Sequence, residues 1–160
     1  VHDRPVVDAA MKRAEETGAP AAAMELHDGR MVTGKTSDLL GACAALLLNA
    51  LKELAGIPHD RPVISPAAIE PIQTLKTQYL GSKNPRLHTD EVLIALSVSA
   101  ASDPDAQKAL EQLPNLKGCQ AHTSVMVGDV DRKQFMKLSV QATFEAKYEN
   151  NSVFFPKKGV

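Results

Sequence analysis

Residues 29–36 read Gly-Arg-Met-Val-Thr-Gly-Lys-Thr, which satisfies the phosphate-loop spacing of Gly, four residues, Gly, Lys and then Ser or Thr. In a true phosphate loop, backbone N–H groups cradle phosphates ahead of a helix, and the chemistry is nucleotide binding and hydrolysis. The interior argues against that here. Arg30-Met31-Val32-Thr33 is apolar and β-prone, and it follows His27-Asp28-Gly29. Asp-Gly between two short apolar runs predicts a hairpin with a type I′ turn. That account leaves Gly34-Lys35-Thr36-Ser37 as the opening of a helix. Its first N–H groups, its dipole and the Lys35 ammonium would favour an anion. The plainer account is a capped helix beside a solvated lysine.

A second concentration of chemistry lies between residues 76 and 91, where Lys76, Tyr79, Lys83, Asn84, Arg86, His88, Asp90 and Glu91 fall close together. Lys83, Asn84 and Arg86 read as a loop between two helices, and His88 stands at the start of the second. Basic side chains beside a helix N-terminus suit phosphate or carboxylate. A histidine beside acids suits proton transfer. Equally, Thr89 can cap the helix and the basic residues can be solvated. The candidate ligand-binding set is therefore Lys35, Thr36 and Ser37 with Lys83, Asn84, Arg86 and His88, for a small anionic, phosphate-bearing ligand. No residue is assigned a catalytic role.

Metal chemistry has little to build on. Cys119 and His122 in Cys-Gln-Ala-His could supply two ligands from a strand edge, but a zinc site needs at least three protein ligands. No metal and no cofactor are expected. The two cysteines, Cys43 and Cys119, sit in apolar stretches and read as buried free thiols.

Composition narrows the classes further. A chain of 160 residues can bury one sizeable core. A net charge of -1 with 4% aromatic residues gives neither an electrostatic footprint nor a stacking platform for nucleic acid. The apolar run at residues 39–51 is too short to span a bilayer. With no signal-peptide pattern at the N-terminus, a cytoplasmic location is expected.

The elements that must position these residues follow from periodicity and punctuation. Residues 4–18 read as a helix with Pro5 in its first turn, followed by the two hairpin strands. A helix capped by Thr36 or Ser37 runs to Gly56 and is apolar on nearly every face, so it is enclosed. Residues 61–65 read as a short buried strand. A helix opens at Pro66, contains Pro71 and stops at Gly81. Two more helices follow, one opening near Thr89 or Asp90 and one capped by Asp103. Residues 122–128 read as a strand, 131–138 as a short helix and 139–149 as a strand. Val153, Phe154 and Phe155 could dock the tail. This order predicts one three-layer α/β/α domain with a mixed sheet.

The hairpin, the "ACAAL" segment of the next helix and "ISPAAIEPI" after a strand resemble the layout of the cytidine deaminases. Cys43 matches a zinc-ligand position there. Ala45 stands where that family has its glutamate, and Ala67 and Glu70 stand where it has two cysteines. The resemblance implies the fold without the zinc chemistry. Longer stretches at residues 18–57, 69–97 and 118–127 resemble the C-terminal region of an uncharacterised bacterial family, the domain of unknown function numbered 1846 (UPF0371-like). That resemblance implies an excised part of a longer cytoplasmic protein and brings no activity. The partner it implies is the rest of the longer chain; a second copy is a separate expectation, from the reading as an oligomerisation module. A structural module without a ligand, or half of an enzyme site, are the competing readings.

Overall fold

The computed structural model describes residues 4–146. Its helices are α1 (Pro5–Thr17), α2 (Ala42–Ala55), α3 (Pro66–Thr74), α4 (Thr89–Ala100), α5 (Pro104–Leu110) and α6 (Asp129–Lys137). Its strands are β1 (Ala21–Glu25), β2 (Met31–Lys35), β3 (Gln120–Thr123) and β4 (Gln141–Phe144). They form one mixed sheet in the order β2-β1-β3-β4, with β1 antiparallel to both neighbours and β3 parallel to β4.

Alternation along β1 divides the core between two layers. Ala23 packs with Val6, Val7 and Ala10 of α1 on one face. Ala22 and Met24 face the larger cluster, with Leu46, Leu47 and Leu51 of α2 and Leu96 of α4. Helices α2, α4, α5 and α6 build that second layer, so the three-layer arrangement expected from the element order is observed.

The hairpin forms with Glu25 opposite Met31 and Ala23 opposite Thr33. Its turn differs from the expected type. Gly29 has φ +90°, but Asp28 does not enter the positive-φ region. The Gly29 N–H donates to the Leu26 carbonyl (2.9 Å) and the Leu26 N–H to the Arg30 carbonyl (2.9 Å). This is a type I turn followed by one left-handed glycine, which is the three-residue hairpin solution. Residues 31–33 are therefore ladder, not a loop around an anion.

Two element boundaries are corrected. Residues 61–65 form no strand. Pro58, Pro62 and Pro66 cannot donate to a ladder. Instead Val63 and Ile64 are buried in the core, and Arg61 is held by Asp103 and Asp105. The deaminase-like layout needs a strand at this point and does not have one. Further on, β3 ends at Thr123, and residues 124–128 are a loop instead of a continuing strand. The strand expected over 139–149 is observed as Gln141–Phe144. Residues 147–149 and the apolar tail lie outside the described residues.

Pro71 is accommodated inside α3, which continues as a π-helical turn over Leu75–Tyr79 and stops at Gly81, φ +75°. Helix α5 starts as its sequence predicts, with the Asp103 carboxylate accepting from the Asp105 N–H (2.9 Å). Replacing Asp103 by alanine removes this cap and one partner of Arg61. A loss of about 1 kcal/mol in urea unfolding is expected.

Candidate functional site

Strands β2 and β3 run in the same direction, because both oppose β1. Their carboxyl ends therefore leave the sheet at one edge, where ligand sites of open α/β sheets are usually built. The loop at residues 36–41 follows β2 there and the loop at 124–128 follows β3. A third loop joins them through a bridge between Leu40 and Leu87. The Leu87 N–H donates to the Leu39 carbonyl (3.0 Å) and the Gly41 N–H to the Leu87 carbonyl (3.2 Å). Arg86 Nε adds a hydrogen bond to the Ser37 carbonyl (2.5 Å). The two segments singled out by composition thus meet.

They meet around a cleft of about 160 Å³, walled by residues 41–43, by Asn84, Arg86, Leu87 and His88, and by Thr123 and residues 125–128 with Asp131. Two helices start in its wall. The N-cap of α2 is Gly41 (φ -70°) and that of α6 is Gly128 (φ -73°), and among the described residues no side chain caps either helix. Neither glycine is demanded by backbone conformation, since any residue adopts these angles. Nor is either demanded by space. A Cβ at Gly128 would meet nothing within 4 Å, and one at Gly41 would come no closer than 3.8 Å to a backbone carbonyl. What the missing side chains do is leave the first turns of α2 and α6 open to the cleft.

The start of α4 is different, because its donors are already used. The His88 N–H donates to Glu91 Oε1 (2.8 Å). The Thr89 N–H and hydroxyl both donate to Asp131 Oδ1 (2.9 and 2.8 Å). Thr89 thus ties α4 to α6 and does not cap its own helix. The same contact takes one oxygen, Oδ1, of Asp131, the carboxylate in the cleft wall among the described residues. Lys76, buried beneath the loop, donates to the Arg86 carbonyl (2.5 Å) and to Glu91 Oε1 (2.9 Å) and stands 3.4 Å from His88 Nδ1. His88 Nδ1 stands between two groups of opposite demand: it can accept from the Lys76 ammonium, or donate to Glu91 Oε1 3.3 Å away. Burial raises the Glu91 carboxyl, but the His88 N–H and the Lys76 ammonium outweigh it and hold Glu91 below its ordinary value.

The sequence-chosen residues divide accordingly. Asn84, Arg86 and His88 line the cleft. Lys83 is exposed on the same loop. Ser37 touches the site through its carbonyl, while its hydroxyl accepts from the Leu39 and Leu40 N–H groups (both 3.3 Å). That side-chain turn is why no helix opens at Gly34–Ser37. Residues 36–41 become a loop, and α2 begins at Ala42. Lys35 is instead the last residue of β2, exposed and paired with Ala21. Thr36 is buried, and its hydroxyl has no hydrogen-bond partner among the described residues.

Gly34 has a separate role. A Cβ there would lie 2.3 Å from the Leu46 backbone nitrogen, so this glycine lets β2 press against α2.

The Cys119–His122 pair is corrected as well. Strand β3 is interior, between β1 and β4. His122 is buried, with Nδ1 on the Thr143 hydroxyl (2.7 Å) and Nε2 on Glu145 (2.8 Å). Arg4 joins this network through Thr143 and Gln120 (2.8 and 2.6 Å), which ties the start of α1 to β3 and β4. Cys119 is buried too, and burial raises its thiol. Among the described residues no three His, Cys, Asp or Glu side chains are placed to hold a metal. Gly41, Gly128 and Asp131 were not singled out by sequence. The available signal was Gly128-Asp129 at a strand-to-helix junction, obscured by reading 122–128 as continuous strand.

Fold and cleft define an α/β domain with its candidate site at the carboxyl edge of a mixed sheet. Its residues 2–154 match the model of the family described as "Domain of unknown function DUF1846, C-terminal", and the chain belongs to that family. It is 60% identical over 154 residues to a UPF0371 protein of Corynebacterium efficiens, covering 96% of this chain and 31% of that protein. It is 48% identical over 152 residues to a UPF0371 protein of Streptococcus thermophilus, covering 95% and 31%. The chain thus spans about a third of the length of the curated relatives it matches. No helix among the described residues is long and apolar enough to cross a membrane.

Proposed function

We propose that the cleft binds a small anion, most simply the phosphate of a phosphate-bearing metabolite or nucleotide. The observation that carries this reading is the meeting of two uncapped, glycine-started helices, α2 and α6, across a cleft that Arg86, Asn84 and His88 also line. Each helix start offers N–H donors and the positive end of its dipole. The Arg86 guanidinium supplies the charge, with Nε spent on Ser37 to fix its plane. His88 offers a proton in the tautomer that carries it on Nε2, and Asn84 offers its amide. Lys83 and Ser37 border the site, and Lys35 and Thr36 act through the loop they open.

A catalytic reading has one observation in its favour: more than two thirds of each relative lies outside the match, so another region could complete the open side of the cleft. Binding is the function that these residues support by themselves.

The test is thermal unfolding with inorganic phosphate, simple phosphate monoesters and nucleotides. Ligand at ten times its dissociation constant adds about 1.4 kcal/mol and raises the midpoint by several degrees. Arg86→Ala is expected to weaken binding by about tenfold to a hundredfold, the usual loss for a charged hydrogen-bond partner. No midpoint shift at millimolar ligand would sink the binding reading.

A further inference from the structure

The outer face of α3 and its π-helical extension carries an apolar stripe beside the exposed polar side chains of Glu70 and Gln78. Ala67, Pro71, Leu75 and Tyr79 recur every four residues along it, and all four are exposed. Tyr79 is 78% exposed, and Leu80 beside it 71%. On the inner side the same segment buries Ile69 and the Lys76 side chain. A helix that faces water normally puts its lysine outward and its leucines inward. Helix α4, tied to this segment by the Lys76–Glu91 ion pair, shows a similar departure. Ile94 and Val98, one turn apart, are 61% and 69% exposed. Scattered apolar residues on a surface need no explanation, but apolar stripes at helical spacing mark a docking face.

The occupant follows from length and area. The curated relatives extend over more than three times the length of the match, so a large further region belongs to the same polypeptide in this family. A few side chains of this kind present on the order of a few hundred Å² of apolar surface. That is well below the ~800 Å² per partner that free copies need for a stable dimer. A covalently attached domain needs much less, because the tether holds it at an effective concentration near millimolar. We infer that the stripe Ala67–Pro71–Leu75–Tyr79, with Leu80, is the seat of the remaining region of the full-length family protein. It is an intramolecular domain interface and not a surface for a second copy. This face is separate from the cleft, so the inference stands or falls independently of anion binding.

The test uses single cysteines as accessibility probes, read peptide by peptide in a mass spectrometer. Cys43 and Cys119 are buried and give little background. Leu75→Cys, Tyr79→Cys and, as a control on exposed α6, Lys133→Cys are made in the 160-residue chain and in a full-length family protein carrying this chain as its C-terminal domain. In the isolated chain all three should react with maleimide at similar rates. In the full-length protein, labelling at 75 and 79 should slow at least about tenfold, as expected when an open side chain becomes covered, while labelling at 133 should not change. Equal rates at 75 and 79 in the two proteins would overturn the inference. So would protection that appears in the isolated chain as its concentration rises and is lost in Leu75→Ser, because the occupant would then be a second copy.

Discussion

Replacing Gly34 by alanine is expected to cost about 3 kcal/mol, the upper end of ordinary overpacking. The added Cβ would stand 2.3 Å from the Leu46 nitrogen, 2.7 Å from its Cα and 2.8 Å from the Ala45 carbonyl carbon. All three are backbone atoms in the first half of α2, so no rotamer change relieves the clash. Either β2 or α2 must move as a body. Such a movement loosens the contacts of Leu46, Leu47 and Leu51 with Met24 and Val32. Gly29→Ala is the control: it also lies near the phosphate-loop spacing and has φ +90°, but nothing stands within 4 Å of its Cβ. Its cost is left-handed backbone strain alone, about 1 kcal/mol. Urea unfolding of both variants checks the ordering. If Gly34→Ala lost no more than Gly29→Ala, the close approach of β2 to α2 would be wrong.

The second large effect is expected at Lys76. Lys76→Met keeps the four-atom stem of the side chain and removes the ammonium at its end. The Arg86 carbonyl and Glu91 each lose a donor. Glu91 keeps the His88 N–H and some solvent, so the loss is smaller than for a fully buried pair, about 2 kcal/mol near neutral pH. The loss should depend on pH, and its sign follows from Glu91. This carboxyl is held below its ordinary value in the folded protein. Its contribution is therefore full above the unfolded value, about 4.3, and disappears as pH falls through the lowered folded value. The gap between wild-type and variant melting curves should narrow from about pH 7 to pH 3, leaving the part owed to the Arg86 carbonyl. A gap of constant size across that range would remove Glu91 from the account. The substitution also removes the ammonium that holds the Arg86 carbonyl, so phosphate affinity should fall with stability.

Much of this was legible in the residues. Asp28-Gly29 announced the hairpin, Gly18 and Gly56 ended α1 and α2, and Asp103-Pro104 opened α5. Each of these signals is local, so neighbours in sequence decide it. The boundaries that failed were decided by partners far along the chain. Ser37 could cap a helix or fold its own turn, and the Arg86 and Leu87 segment, about 50 residues away, stands against the turn. Val63 and Ile64 are as β-prone as any strand, but the prolines around them leave no ladder to join. The cleft was half visible. Arg86, His88 and Asn84 stood out by residue type, whereas Gly41 and Gly128 contribute by having no side chain, and such a contribution carries no chemical signature in a sequence. The phosphate-loop match divides in the same way. Gly29 serves a turn, Gly34 a helix contact, and the helix starts that face the cleft lie elsewhere.

The proposed occupant of the cleft is an anion between the first turns of α2 and α6. Amide chemical shifts followed during titration with inorganic phosphate test it most directly. Saturable shifts are expected at Ala42, Ala44, Asp129 and Val130, together with the Arg86 side chain. Their loss is expected in Gly128→Asp, whose carboxylate would cap α6 from within and hold the anion's place at little cost to stability. Shifts confined to Lys35 and Thr36, or unchanged phosphate binding in Gly128→Asp, would contradict that placement.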